Sequence, residues 1–200
     1  FLWGAEQFAP EDHPDSRTNE RALRFIDAVG DEAPFCAWIN YGLAHPPYRV
    51  EEPWWSMYDA AHVGPMAAVP AAEGKASYAS LLYRAHRLDE LPPETLTEIR
   101  SRYMAMISRA DDLVGRVVGG LKARGLWEST ALFVVSDHGN YGGDFGIPAK
   151  WWTGMEDALL RVPLLAHIPE QQLNGVCDEL VQHIDLNQTI HELARVERED

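Results

Sequence analysis

The segment TLTEIRSRYMAMISRADDLVGRVVGGLKARG (95–125) limits what the rest of the chain can be. Tyr103, Met106, Ile107, Ala110, Leu113, Val114, Val117 and Leu121 recur at threes and fours, the spacing of one helix face, and Gly125 ends the run. A stripe this long has to be covered, so its methionines and aromatics read as core. The apolar, β-branched run TALFVVS (130–136) follows almost at once, and VPLLAHI (162–168) comes after a predicted helix at 154–160. Long amphipathic helices between short, wholly apolar strands predict α/β layers: a mostly parallel sheet flanked by helices.

The flanking segments agree with that reading. Residues 16–29 predict a helix capped by Asp15 or Ser16 and stopped by Gly30, with Ala22, Leu23, Phe25, Ile26 and Val29 on its apolar side. PFCAWINY (34–41) reads as a buried strand, broken by GLAHPPY with His45 just past its carboxyl end. One or two helical turns are expected in EEPWWSMYDA (51–60), an irregular connection from 62 to Pro93, and a closing amphipathic helix in LVQHIDLNQTIHELARV (180–196).

Composition narrows the function classes. Two hundred residues with 46% hydrophobic content suit one domain with a real core. A net charge of −14, from 31 acids against 17 bases, speaks against nucleic-acid binding through a basic patch. No run approaches the length of apolar sequence needed to span a membrane. The opening FLWGAEQFAPEDHPD has neither an initiator Met nor signal-peptide character, and reads as the interior of a longer polypeptide, so compartment (cytoplasmic, periplasmic or secreted) is left open. Cys36 and Cys177 form no CxxC or disulfide framework and read as two buried thiols.

In open α/β sheets, ligands bind beyond the carboxyl ends of strands. His45 and the pair Asp137-His138 are both predicted there. Adjacent residues on an extended strand face opposite ways, but at a strand-to-loop turn both can converge on one ion, and Gly139 helps the chain turn. A carboxylate beside an imidazole suits Zn²⁺, Mn²⁺ or Fe; Ca²⁺ or Mg²⁺ would want more oxygens, and a catalytic metal needs further ligands. The bland alternative is a turn in which Asp137 bonds its own backbone. EF-hand, P-loop, GxSxG and HExxH patterns are absent. Lys150, in IPAKWW, is a surface charge on the bland reading; partly shielded by its neighbours, it is suited to neutralising an oxyanion. His45 is either a structural histidine or a proton donor to a leaving oxygen. Trp54, Trp55, Trp151 and Trp152 read equally as core or as the wall of an aromatic or sugar pocket.

PFCAWINYGLAHPPYRVEEPWWSMYD, the long helix, its strand with SDHG, the glycine loop, Lys150, ALLRVPLL and LVQHIDLNQTIHELA occur in an order that resembles the sulfatase family of the alkaline-phosphatase superfamily, over about residues 20–197. The resemblance implies an alkaline-phosphatase-like α/β fold, incomplete at its N-terminus, with residues 1–200 forming a partial sulfatase-type domain. It implies that Asp137 and His138 are two ligands of a single divalent metal, Ca²⁺ or Mn²⁺. His45 and Lys150 would be catalytic and contact the sulfate or phosphate oxygens, His45 as proton donor. The substrate would be a small-molecule or sugar sulfate or phosphonate ester.

The family's nucleophile is a formylglycine made from C/S-x-P-x-R. No such motif occurs in these 200 residues, so the nucleophile and the paired aspartates of the metal shell are expected upstream of Phe1, and the chain alone is expected to be inactive. Phe145 stands where many relatives have a histidine. Two further readings remain: a two-metal phosphatase or phosphodiesterase of the same superfamily, and a non-catalytic sulfatase-like fold that binds an anion.

Overall fold

The computed structural model of the protein describes residues 9–29, 33–68, 81, 83–151, 154–169, 171 and 174–196. Helix α1 (Pro14–Ala28) starts two residues before its predicted onset, because Pro14 opens it and the His13 ring, not Asp15 or Ser16, caps it: Nδ1 accepts from the Asp15 amide at 3.1 Å. That frees Asp15 and Ser16, both buried, to face inward and bond elsewhere. The predicted stop, Gly30, lies outside the described residues.

Helix α2 (Pro93–Ala123) is the long periodic segment. Its buried positions follow the predicted stripe from Met106 through Leu113, Val117 and Leu121, with two departures. Ile107 is 46% exposed, whereas Arg109, charged and absent from the predicted stripe, is wholly buried. Hydropathy alone cannot foresee a buried arginine, because its burial depends on partners far away in sequence.

Strands β1 (Leu132–Val135) and β2 (Leu164–His167) fall within their predicted runs and pair with each other antiparallel, Leu132 opposite His167 and Val135 opposite Leu164. Between them, α3 (Asp157–Leu160) is a single turn. Residues 34–41 carry no regular secondary structure, and no ladder among the described residues holds them. A ladder needs a second strand within about 5 Å, and among the described residues none pairs with this segment. Trp38 there is accordingly 84% exposed, and Cys36, expected to be buried, is exposed; Cys177 is exposed too, in an irregular segment. EEPWWSMYDA forms a series of turns in place of helix.

The core is made of three apolar clusters, two of them built on α2. Ile26 of α1 packs with Val117 and Leu121; Tyr48 and Val50 pack with Ile99, Ala105 and Met106; Leu88, Tyr141, Ile147 and Leu159 close the third. Trp54 and Trp55 lie against the second cluster and Trp151 against the third, which favours core over pocket wall for these tryptophans; Trp152 lies outside the described residues. The chain divides into two units, Phe1–Pro169 and Glu170–Asp200. The second contains α4 (His183–Leu193), which begins with a capping box between Gln182 and Asp185.

Candidate active site

The β1 strand ends at Val135, and the next four residues turn sharply. The Ser136 hydroxyl donates to the His138 carbonyl at 2.8 Å, and the Asp137 carboxylate accepts from the His138 amide at 2.9 Å. Gly139 then passes so close to α3 that its amide donates to the Leu159 carbonyl at 2.8 Å, and a Cβ at this position would lie 1.9 Å from the Ala158 carbonyl oxygen. Only glycine fits. This turn breaks strand alternation and leaves Asp137 Oδ2 3.5 Å from His138 Nε2.

The His138 ring bonds on both sides. Nδ1 is 2.8 Å from the Gly139 carbonyl, which can only accept, so Nδ1 carries the proton and Nε2 holds a lone pair. Lys150, twelve residues on, places its Nζ 2.6 Å from that Nε2. The Asp137 side chain is 84% exposed and that of His138 35%. Asp137, His138 and Lys150 therefore form one polar cluster at the carboxyl edge of β1.

His45 is not joined to these three by any hydrogen bond or ion pair among the described residues. Its amide donates to the Gly42 carbonyl at 2.9 Å, and its Nδ1 lies 2.6 Å from the Pro46 carbonyl, which again assigns the proton to Nδ1. The ring lines a cavity of ≈650 Å³ together with His13, Asp15, Arg17 and Arg49. Tyr48, which sequence reasoning passed over, links this loop to the other cluster. Its hydroxyl donates to the Pro148 carbonyl at 2.7 Å and meets the Asn140 side chain at 3.0 Å, so both ends of the glycine loop are tied to one buried ring. A tyrosine in a Pro-rich loop carries no sequence signal for that contact, which spans 100 positions. Burial pushes the Tyr48 hydroxyl well above its ordinary value. Burial, reinforced by the Asp15 carboxylate, pushes the neighbouring Tyr41 up to about 12.

The glycine loop is held from α2. Arg100 donates to the Gly142 and Pro65 carbonyls, each at 3.0 Å, and pairs with Asp144. Phe145 adopts left-handed backbone (φ 57°), its amide on the Ala67 carbonyl and its ring edge-on to Tyr141.

As a metal site, Asp137 and His138 offer a carboxylate and a neutral imidazole whose lone pair is directed away from the backbone, a donor set that fits two ligands of one divalent ion. Among the described residues no third His, Cys, Asp or Glu joins them. His167, at the end of β2, is engaged elsewhere, stacked on Trp127 with ring centroids 3.8 Å apart.

A family model described as Sulfatase matches residues 4–196. The chain belongs to the sulfatase family. It is 28% identical over 173 residues to the multifunctional alkaline phosphatase superfamily protein PehA of Trinickia caryophylli, a match covering 78% of this chain and 33% of that protein. To the choline-sulfatase of Rhizobium meliloti it is 26% identical, with 91% of this chain and 36% of the relative covered. The chain thus spans about a third of the length of these curated relatives. Among solved structures, a phosphonate monoester hydrolase from Silicibacter pomeroyi superposes with a TM-score of 0.81 at 24% identity, covering 96% of this chain and 40% of that one. Its counterpart from Agrobacterium radiobacter gives 0.64 at 27% identity, covering 81% and 34%. The chain therefore has an alkaline-phosphatase-like fold, of which β1, β2 and the flanking helices are part.

Proposed function

We propose that these residues carry the metal- and oxyanion-handling part of a hydrolase of sulfate esters or of phosphonate and phosphate monoesters. One observation bears most of the weight: the Lys150 ammonium rests on His138 Nε2, beside Asp137, at the carboxyl edge of β1 in a sulfatase-family chain. A divalent ion, Ca²⁺ or Mn²⁺ by family resemblance, would when bound act as a Lewis acid on the ester and lower the pKa of the attacking oxygen. Asp137 would hold it by its carboxylate and His138 by Nε2.

An ammonium and a metal cannot share one lone pair. Metal binding would therefore release Lys150 from His138 and leave its charge beside the ion, placed to hold a sulfate or phosphonate oxygen as negative charge grows there. His45, with Nδ1 committed to Pro46, keeps Nε2 for passing a proton to the leaving oxygen. The 200 residues hold no C/S-x-P-x-R and span about a third of the curated relatives, so in this reading a formylglycine and the remaining metal ligands would come from other parts of the polypeptide. The substrates would be small-molecule or sugar esters.

The test is turnover by the natural polypeptide that contains this sequence, on an aryl sulfate and on an aryl phosphonate monoester. Hydrolysis of at least one is expected, lost with chelator and restored by Mn²⁺ or Ca²⁺. Failure to turn over either ester in a metal-loaded sample would refute the proposal.

A further inference from the structure

The segment leading to His45 has no strand ladder among the described residues to fix it, yet its last three residues are held in place. The Asp15 carboxylate does this from the first turn of α1. Its Oδ1 accepts from the Gly42 amide at 3.0 Å and its Oδ2 from the Leu43 amide at 2.8 Å, a two-pronged grip across 27 and 28 positions of sequence. One helical turn on, Asn19 accepts the Tyr41 hydroxyl at 2.5 Å. Residues 41, 42 and 43 are thus each bonded to one buried edge of α1. Asp15 is only 6% exposed, and Asn19 2%.

A carboxylate this deeply buried needs a reason. Charge-assisted bonds to two backbone amides are strong enough to hold it and are directional, so they fix the peptide planes as well as the distance. The next fixed contact is the His45 amide on the Gly42 carbonyl, the other side of the same peptide unit region that Asp15 grips. Asp15 and His45 also line the same cavity. A cap needs neither feature, and the cap of α1 is His13.

We infer that Asp15 is a positioning residue for His45: by gripping the Gly42 and Leu43 amides it sets where the imidazole stands when it delivers its proton. The inference rests on the proposed proton-donor role of His45 and deepens it. Asp15 is assigned no contact with substrate or metal, and it acts only through the backbone two and three residues before the histidine.

The test is a double-mutant cycle in the natural polypeptide, reading kcat and KM on an aryl sulfate for wild type, Asp15→Asn, His45→Asn and the pair. Asparagine keeps the shape of Asp15 but turns one acceptor into a donor facing a donor. Asp15→Asn should lower kcat by about 10- to 100-fold, the scale of a misplaced catalytic group, with KM changed less than about twofold. In the His45→Asn background the same change should cost less than about twofold, because the two act as a unit. Equal losses in both backgrounds would overturn the inference while leaving the role of His45 intact. An unchanged kcat in His45→Asn alone would overturn the role of His45, and the inference with it. Hydrogen exchange separates positioning from stability: the Gly42 and Leu43 amides should exchange faster in Asp15→Asn while the α2 amides keep their protection. Equal acceleration in α2 would make Asp15 a stabilising residue only and refute the assignment.

Discussion

At the scale of single residues, Gly139 shows how tightly the candidate site is built. Its amide is spent on Leu159, and the space its side chain would need is filled by the Ala158 carbonyl, backbone that cannot rotate aside. Gly139→Ala should therefore destabilise the protein by about 1–3 kcal/mol, the usual range for overpacking a closed contact. Urea denaturation reads that loss directly. Because His138 precedes the displaced residue, activity should fall further than stability alone explains; a variant as stable as wild type would show that the turn does not depend on glycine. The neighbouring pair is simpler in origin. Asp137 and His138 were legible as chemistry because polar residues directly after an apolar strand are conspicuous. Lys150 was legible as a candidate, but its contact with Nε2 depends on how the loop folds back.

At the scale of elements, α2 is the support to which the loops are fastened, and arginines do much of the fastening. Arg100 ties down the glycine loop, while Arg102 lies over Trp55 with its guanidinium 4.1 Å from the ring centre. Arg109 is completely buried. It pairs with Glu51 at 2.8 Å and with Asp112 at 2.7 Å, donates to the Pro10 carbonyl and Ser16, and covers Trp54. This joins the entry to α1, the segment after the His45 loop and α2 at one charge. Among the described residues Glu51 Oε2 is buried without a hydrogen-bond partner, so the carboxylate already depends on Arg109. Arg109→Leu should cost about 3–5 kcal/mol by stranding Glu51, and adding Glu51→Leu should recover much of it. Chemical denaturation of the single and double variants checks this, and a single variant losing less than about 1 kcal/mol would contradict it. The helix was readable from its period. Its most important side chain was not, because periodicity reports which face is apolar and is silent on a charge that finds four partners elsewhere in the chain.

At the scale of the molecule, the helices and the two paired strands were legible because each is long or apolar enough to declare itself locally. The parallel sheet expected around them is represented among the described residues by one antiparallel pair, and the predicted strand at 34–41 is an irregular segment with an exposed tryptophan, since sheet pairing is a property of distant segments meeting. The same reason hides Asp15: in sequence it is a helix cap, and only the folded chain brings Gly42 and Leu43 to it. No helix among the described residues is long and apolar enough to cross a membrane. A metal shell is likewise a property of the whole fold: on the proposed reading Asp137 and His138 would supply two ligands, and the rest would converge from other segments. The most direct measurement is therefore equilibrium dialysis of Mn²⁺ against the natural polypeptide, wild type beside Asp137→Ala and His138→Ala. One tightly held ion per chain is expected in the wild type, with affinity at least ~10-fold weaker in each variant, since losing a ligand should cost no less than losing an outer partner. Equal affinity in all three would contradict it, and would leave the acid and imidazole at the end of β1 as parts of a turn.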